Sequence, residues 1–482
     1  MYFHAVPAVV GPRNKPTATL FIKKELFMTT TIQNPLGTEP IGKLLRKFAI
    51  PSIIAMLVGS LYNMVDQLFI GNFVGPLGNG ATNIQFPLSI LNISIALLCG
   101  IGAASTFNLA MGRGETEKAG YYIGNAISLM LLGGFVLLIV TELFLEPILI
   151  GCGATENILP YAVEYSRICA LGYPLFILSA GGAHIVRADG SPNMTMAINV
   201  TGAVINTVLD FLFVAVFHWG MKGAAVATII GQYVAGFMVL VYLKKFKTVK
   251  LEKQHFIPDL AIIGSIAALG TAPFINQIAM MVVQIVMNHV MGHYGAQSIY
   301  GSDIPITCAG IISKVNGICF SFVIGISQGL QPIISFNYGA QNYKRVKSAF
   351  YLALKLAAII TFTSWACFQL FPRQIVSIFG TGDELYFQFC EKYFRIFLFG
   401  IFTAFFQPLA SNFFTSIGKP YKGIFMSLTR QVLFLAPLIV FLPMIFGFNG
   451  VLYAGPIADA LSFTICFILV RKEFSHPEFK EA

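Results

Sequence analysis

Two aspartates stand inside long apolar runs, where a charged carboxylate is costly. Asp66 lies in Tyr62-Asn63-Met64-Val65-Asp66-Gln67, and Asp210 follows Asn206 by four residues, which sets amide and carboxylate on one face of a helix. Thr228 lies in the next apolar run. Burial disfavours the ionised form, so such a group takes up and releases a proton or holds a small cation through oxygen ligands. The expected cation-coupling set is Asp66, Asn206, Asp210 and Thr228. H+ or Na+ is the coupling ion, Na+ at Asp66 and Asp210 is the one metal chemistry expected, and no other cofactor is implied. Asn63, Gln67, Gln277 and Gln284 add hydrogen-bonding groups for a substrate. Asp459 is the one acid inside an apolar run of the second half, with Lys314 and Arg430 as candidate partners. A buried ion pair is its favoured reading, and contact with a cationic substrate the sharper one.

The elements that position these residues follow from composition. Charged residues make up 11% of the 482-residue chain, against about 25% in soluble domains, and mean hydropathy is +0.75. The chain is therefore an all-α integral membrane protein. A bilayer core needs about 20 mostly apolar residues per helix. Twelve stretches qualify: 44–71, 82–110, 120–145, 161–186, 194–217, 223–243, 261–291, 304–336, 348–371, 391–415, 423–446 and 450–471, numbered here helices 1 to 12.

The net charge of +10 sits in alternate loops, 18 cations on one side against three on the other. The positive-inside rule then places both termini in the cytoplasm, in a multi-pass plasma-membrane (bacterial inner-membrane) protein, and the charge is a topology signal rather than a nucleic-acid surface. The eight Cys form no CxxC pair and lie mostly in apolar runs, so neither a disulfide framework nor a zinc site is expected. Neither a phosphate-binding GxxxxGK[ST] loop nor a nucleophile elbow occurs, so no enzyme is implied. Residues 1–38 lack helical periodicity and read as a disordered cytoplasmic tail, with Met28 as an alternative start.

The chain repeats itself. Gly102 to Gly112 answers to Gly329 to Gly339 and Lys222-Gly223-Ala224 to Asn449-Gly450-Val451, both at an offset of 227; Gly190-Ser191-Pro192 answers to Gly418-Lys419-Pro420 at 228. Two six-helix bundles follow, at 40–245 and 257–472, joined by a cytoplasmic linker at 246–256 and followed by a tail at 473–482. Six is even, so the copies share one orientation. They form parallel repeats around a central cavity, the arrangement of alternating-access carriers. At the same offset Asn206 meets Leu433 and Asp210 meets Pro437, while Asp66 meets Val283. The polar cluster belongs to the first half alone, as a coupling site would and a fold requirement would not.

With its twelve helices, the helix 1 Asp, the basic loops after Gly112 and Gly339 and the Asn-x-x-x-Asp of helix 5, the chain resembles the multidrug and toxic compound extrusion (MATE) family. The superfamily also holds polysaccharide and lipid flippases. The resemblance implies that Asp66, Asn206, Asp210 and Thr228 match the first-lobe cation site of the archaeal and bacterial branch, and that Pro51 matches the proline associated with bending of helix 1. Another branch places carboxylates in helices 7 and 10 of the second lobe, and here those spans are read as containing none. The function so implied is antiport: H+ or Na+ enters while small amphipathic, often cationic drugs leave through the cavity of a monomer. A flippase for a lipid-linked precursor is the alternative.

Overall fold

The apolar runs form helices that outlast their hydropathy signal at both ends. The computed structural model describes residues 34–301, 303–379 and 384–480. Helix 1 spans Ile41–Phe73, helix 2 Pro76–Gly112, helix 3 Thr116–Gly151, helix 5 Pro192–Val216 and helix 6 Gly220–Leu243. In the second bundle helix 7 spans Leu260–Ala296, helix 8 Asp303–Gly339, helix 9 Tyr343–Leu370, helix 11 Pro420–Phe446 and helix 12 Phe448–Phe474. At 1.5 Å per residue the 33 residues of helix 1 reach about 50 Å, through the hydrocarbon core and both interfaces, where polar residues continue the helix unseen by hydropathy.

Helices 4 and 10 are broken. Leu159–Leu171 meets Tyr173–Ala188 at 59°, and Glu384–Phe397 meets Ile401–Ser416 at 45°. With these bent pairs as single spans, twelve crossings are present among the described residues. Helix 1 runs unbroken through Pro51.

The repeat recurs in the backbone. Gly114 and Gln341 both take left-handed φ (77° and 59°), as do Gly190 and Gly418 (78° and 76°) and Gly220 and Gly447 (both 58°). Gln341 adopts there a conformation that glycine takes freely and other residues rarely do. Each fifth helix of a bundle also contains a π-helical turn, Phe211–Val216 directly after Asp210 and Thr429–Leu435 in helix 11.

The bundles meet crosswise, helix 1 on helix 8 and helix 2 on helices 7 and 8. Glycines bring these backbones together: a Cβ on Gly102 would strike Ile266 O, one on Gly270 would strike Leu98 O, and one on Gly112 would strike Phe336 O. Gln331 of helix 8 donates to Ser105 Oγ (2.8 Å) and Ile101 O (3.2 Å) of helix 2. The outermost hydrogen bond across the seam is Ser60 Oγ to Ser321 Oγ, 2.9 Å, among the described residues.

Three expectations need correction. Residues 1–33 lie outside the described residues, but the end of the segment read as a disordered tail is folded. Pro35–Thr38 form a helical turn capped by Asn34, because Asn337 Nδ2 (2.9 Å) and Arg345 Nη2 (3.2 Å) donate to Leu36 O and Arg345 Nη2 also donates to Glu39 O (2.6 Å). One disulfide forms, Cys308–Cys390, between partners 82 residues apart that the topology brings together on helices 8 and 10. Finally, Glu384 and Glu391 do lie on helix 10, at its outer end, paired with Arg373 at 2.6 and 3.6 Å.

The linker is attached to the first bundle along its length. Asp189 accepts from the Lys247 and Thr248 backbone N–H groups (2.8 and 3.0 Å), and His255 is buried against Gly120 and Gly124 of helix 3. Asn125 donates to His255 O at 3.0 Å.

Candidate functional site

Helices 1, 2, 4 and 6 enclose a cavity of about 360 Å³ in the first bundle, lined by Tyr62, Asp66, Gln85, Tyr165, Thr228 and Gln232 among others. Asp66 forms its wall. Asp210 stands behind with no exposed surface, and its carboxyl is near enough to that of Asp66 for the two to interact electrostatically. Two ionised carboxylates repel when buried side by side, and a shared proton or a bound cation relieves that repulsion.

The amide and hydroxyl complete the set. Asn206 Nδ2 donates to Thr228 Oγ1 at 3.3 Å, and the Thr228 hydroxyl donates back to Ala224 O at 2.9 Å. That leaves Asn206 Oδ1, Asp66 Oδ1 and both Asp210 oxygens buried without a donor among the described residues. Buried acceptors without donors are costly, and oxygens gathered without nitrogen or sulfur suit a proton or a hard cation such as Na+.

The structure thus brings Asp66, Asn206, Asp210 and Thr228 together, with Gln67 on the cavity wall. Asn63 also lines it, its Nδ2 turned back to Gly59 O at 2.8 Å. Gln277, Gln284 and Asp459 lie elsewhere. Gln277 lines a smaller cavity of about 150 Å³, with Gln328, Gln407 and Asn412, where helix 2 meets the second bundle. Gln284 donates to Asn288 of its own helix at 3.0 Å. Asp459 is buried and accepts from Arg430 Nε at 2.6 Å, while Lys314 is exposed and pairs with no acid among the described residues.

Sequence reasoning missed the aromatic half of this cavity. Tyr62 stands one turn before Asp66, Tyr165 one turn before Cys169, and the Tyr165 hydroxyl contacts Thr228. The i, i+4 spacing that singled out Asn206 and Asp210 recurs in Tyr62/Asp66, Tyr165/Cys169 and Thr228/Gln232, all lining the cavity, and would have marked helix 4.

The MatE family model matches residues 51–212 and 273–441. The chain belongs to the MATE family of membrane transporters. Among curated proteins, this MATE chain is 25% identical to the FAD transporter of Shewanella oneidensis, over 91% of this chain and 96% of that one. It is 23% identical to the multidrug export protein MepA of Staphylococcus haemolyticus, over 89% and 92%. Among solved structures, a ligand complex of the MATE multidrug transporter DinF-BH superposes with a TM-score of 0.84 at 32% identity, over 92% of this chain and 98% of that one. As in any MATE protein, transport and not bond-making chemistry is the activity to be derived from the site.

Proposed function

We propose that this MATE transporter is a cation-coupled antiporter that exports small amphipathic, often cationic drugs by alternating access. The observation that carries this reading is the Asp66–Asp210 carboxyl pair, buried beside a cavity within the first bundle. H+ or Na+ enters from outside, satisfies the orphan oxygens and stabilises the state in which they stay dry. Release of the ion on the cytoplasmic side leaves two like charges that only rehydration relieves. Drug and ion thus bias opposite states of the bundle pair, and the coupling is reciprocal. The protein acts as a monomer with both termini in the cytoplasm. The drug-export names of MepA and DinF-BH support the cargo class.

The similarity to an FAD transporter favours a second reading, an anionic cargo. The membrane-embedded cations offer it few groups: Arg430 is neutralised by Asp459, which leaves Lys314 as an exposed, unpaired one among the described residues. A flippase for a lipid-linked precursor meets the same shortage.

The deciding experiment is efflux of a cationic dye from proteoliposomes under an imposed pH gradient, then an imposed Na+ gradient. Dye movement driven by one gradient is expected. No movement under either, together with transport of FAD or a lipid-linked pyrophosphate, would overturn the antiport reading.

A further inference from the structure

We propose that a groove between helices 9, 10 and 12, at the basic end of the second bundle, binds one anionic glycerophospholipid. The groove encloses about 330 Å³. Its mouth carries Lys347 and Arg471, and its walls are apolar and aromatic, from Phe350, Tyr351 and Leu354 of helix 9 to Phe406 and Phe467.

Three observations select that occupant. First, the charge is uncompensated: neither Lys347 nor Arg471 pairs with a carboxylate among the described residues. The neighbouring Lys419 and Lys422 both turn to Glu473, the second at 2.6 Å, and are neutralised. Second, charge and grease are in the order a lipid has them. Lys347, Tyr351 and Leu354 climb helix 9 over about 10 Å from the basic end toward the bilayer middle, so a phosphate at the cations runs its chain along the aromatic wall. Arg471 and Phe467 repeat that order one turn apart on helix 12. Third, the wall is rigid yet uncovered. Phe350 and Phe406 are buried, and Phe350 stacks edge-on against Phe474 at 5.5 Å, while Tyr351 and Phe467 are 52% and 45% exposed toward the lipid. Basic pockets between membrane helices at this depth favour anionic head groups by roughly fivefold per cation, so two cations give about 30-fold at most.

The test uses the purified full-length transporter in detergent micelles. Phe467→Trp, made in a protein whose own Trp219 and Trp365 are replaced by phenylalanine, puts the single indole on the groove wall. Quenching of its fluorescence is titrated with phosphatidylglycerol or phosphatidylcholine, each carrying brominated acyl chains. Phosphatidylglycerol should bind roughly tenfold more tightly, and Lys347→Gln with Arg471→Gln in the same background should bring the two lipids within about twofold. Should that variant fail to fold, added salt applied to the Phe467→Trp protein replaces it and should erode the preference. Equal quenching by both lipids, or a phosphatidylglycerol preference that survives loss of both cations or high salt, would overturn the proposal.

Discussion

The two bundles share a backbone and differ in how they treat buried charge. In the first, neither Asp66 nor Asp210 is paired with a lysine or arginine among the described residues; in the second, Asp459 is neutralised by Arg430. The contrast is sharpest at one pair of equivalent positions. Gln232 of helix 6 packs against Gly172, where helix 4 bends, and Asp459, at the repeat-equivalent place in helix 12, packs against Gly400, where helix 10 bends. The fold demands a polar group against a glycine there, and either bundle's residue satisfies it. It does not demand a carboxylate without a counter-ion, which only one bundle keeps. The scaffold is duplicated and the chemistry is not.

Asp210→Asn, tested first, should produce the largest effect, removing gradient-driven dye efflux while leaving dye binding measurable, because an amide cannot carry the proton. Asp66→Asn should match it, and the double variant should be scarcely worse than either, since interacting carboxyls titrate as a unit. Efflux and binding assays on the same proteoliposome preparation check this, and full transport by Asp210→Asn would erase the functional contrast between the bundles.

Next in size, Asp459→Asn strands Arg430 in a largely buried site and should cost about 3–5 kcal/mol of stability. Transport per folded molecule should stay near that of the parent protein. Melting curves beside efflux separate the two outcomes. A selective loss of cationic drugs with an unchanged melting temperature would make Asp459 a substrate contact instead.

The disulfide differs between bundles too. The repeat-equivalents of Cys308 and Cys390 are Ala81 and Ala162, both buried. Replacing both cysteines with alanine should lower stability by about 2–4 kcal/mol while leaving the efflux rate unchanged, read by thermal denaturation with and without reductant.

The smallest effect is expected for Tyr165→Phe. Loss of one hydroxyl contact to Thr228 should weaken apparent affinity for the coupling ion by roughly fivefold, about 1 kcal/mol, in an ion-titrated efflux assay.

Most of the fold was legible because lipid leaves no other arrangement for long apolar runs, and glycines and prolines anchored the repeat. Asp66, Asn206, Asp210 and Thr228 stood out since charge in hydrocarbon is rare and a four-residue spacing fixes a face. Tyr165 and Cys169 did not, because a tyrosine and a cysteine in an apolar helix look like ordinary core. Gln277 and Gln284 of helix 7 stood out as polar residues in an apolar run, but the sequence did not tell that Gln277 lines the smaller cavity while Gln284 bonds Asn288 of its own helix. The Cys308–Cys390 bond joins helices distant in sequence, and the order of Pro35–Thr38 comes from receptors about 300 residues away, Asn337 and Arg345.

Those receptors carry a consequence for opening. The stretch before helix 1 belongs by connectivity to the first bundle, yet it is gripped by side chains of the second, across the very seam that must separate when the cytoplasmic end opens. The three hydrogen bonds that Asn337 and Arg345 donate to Leu36 O and Glu39 O thus tie the entry of helix 1 to the second bundle. In an alternating-access cycle such bonds would oppose opening of the cytoplasmic end without touching ion or drug.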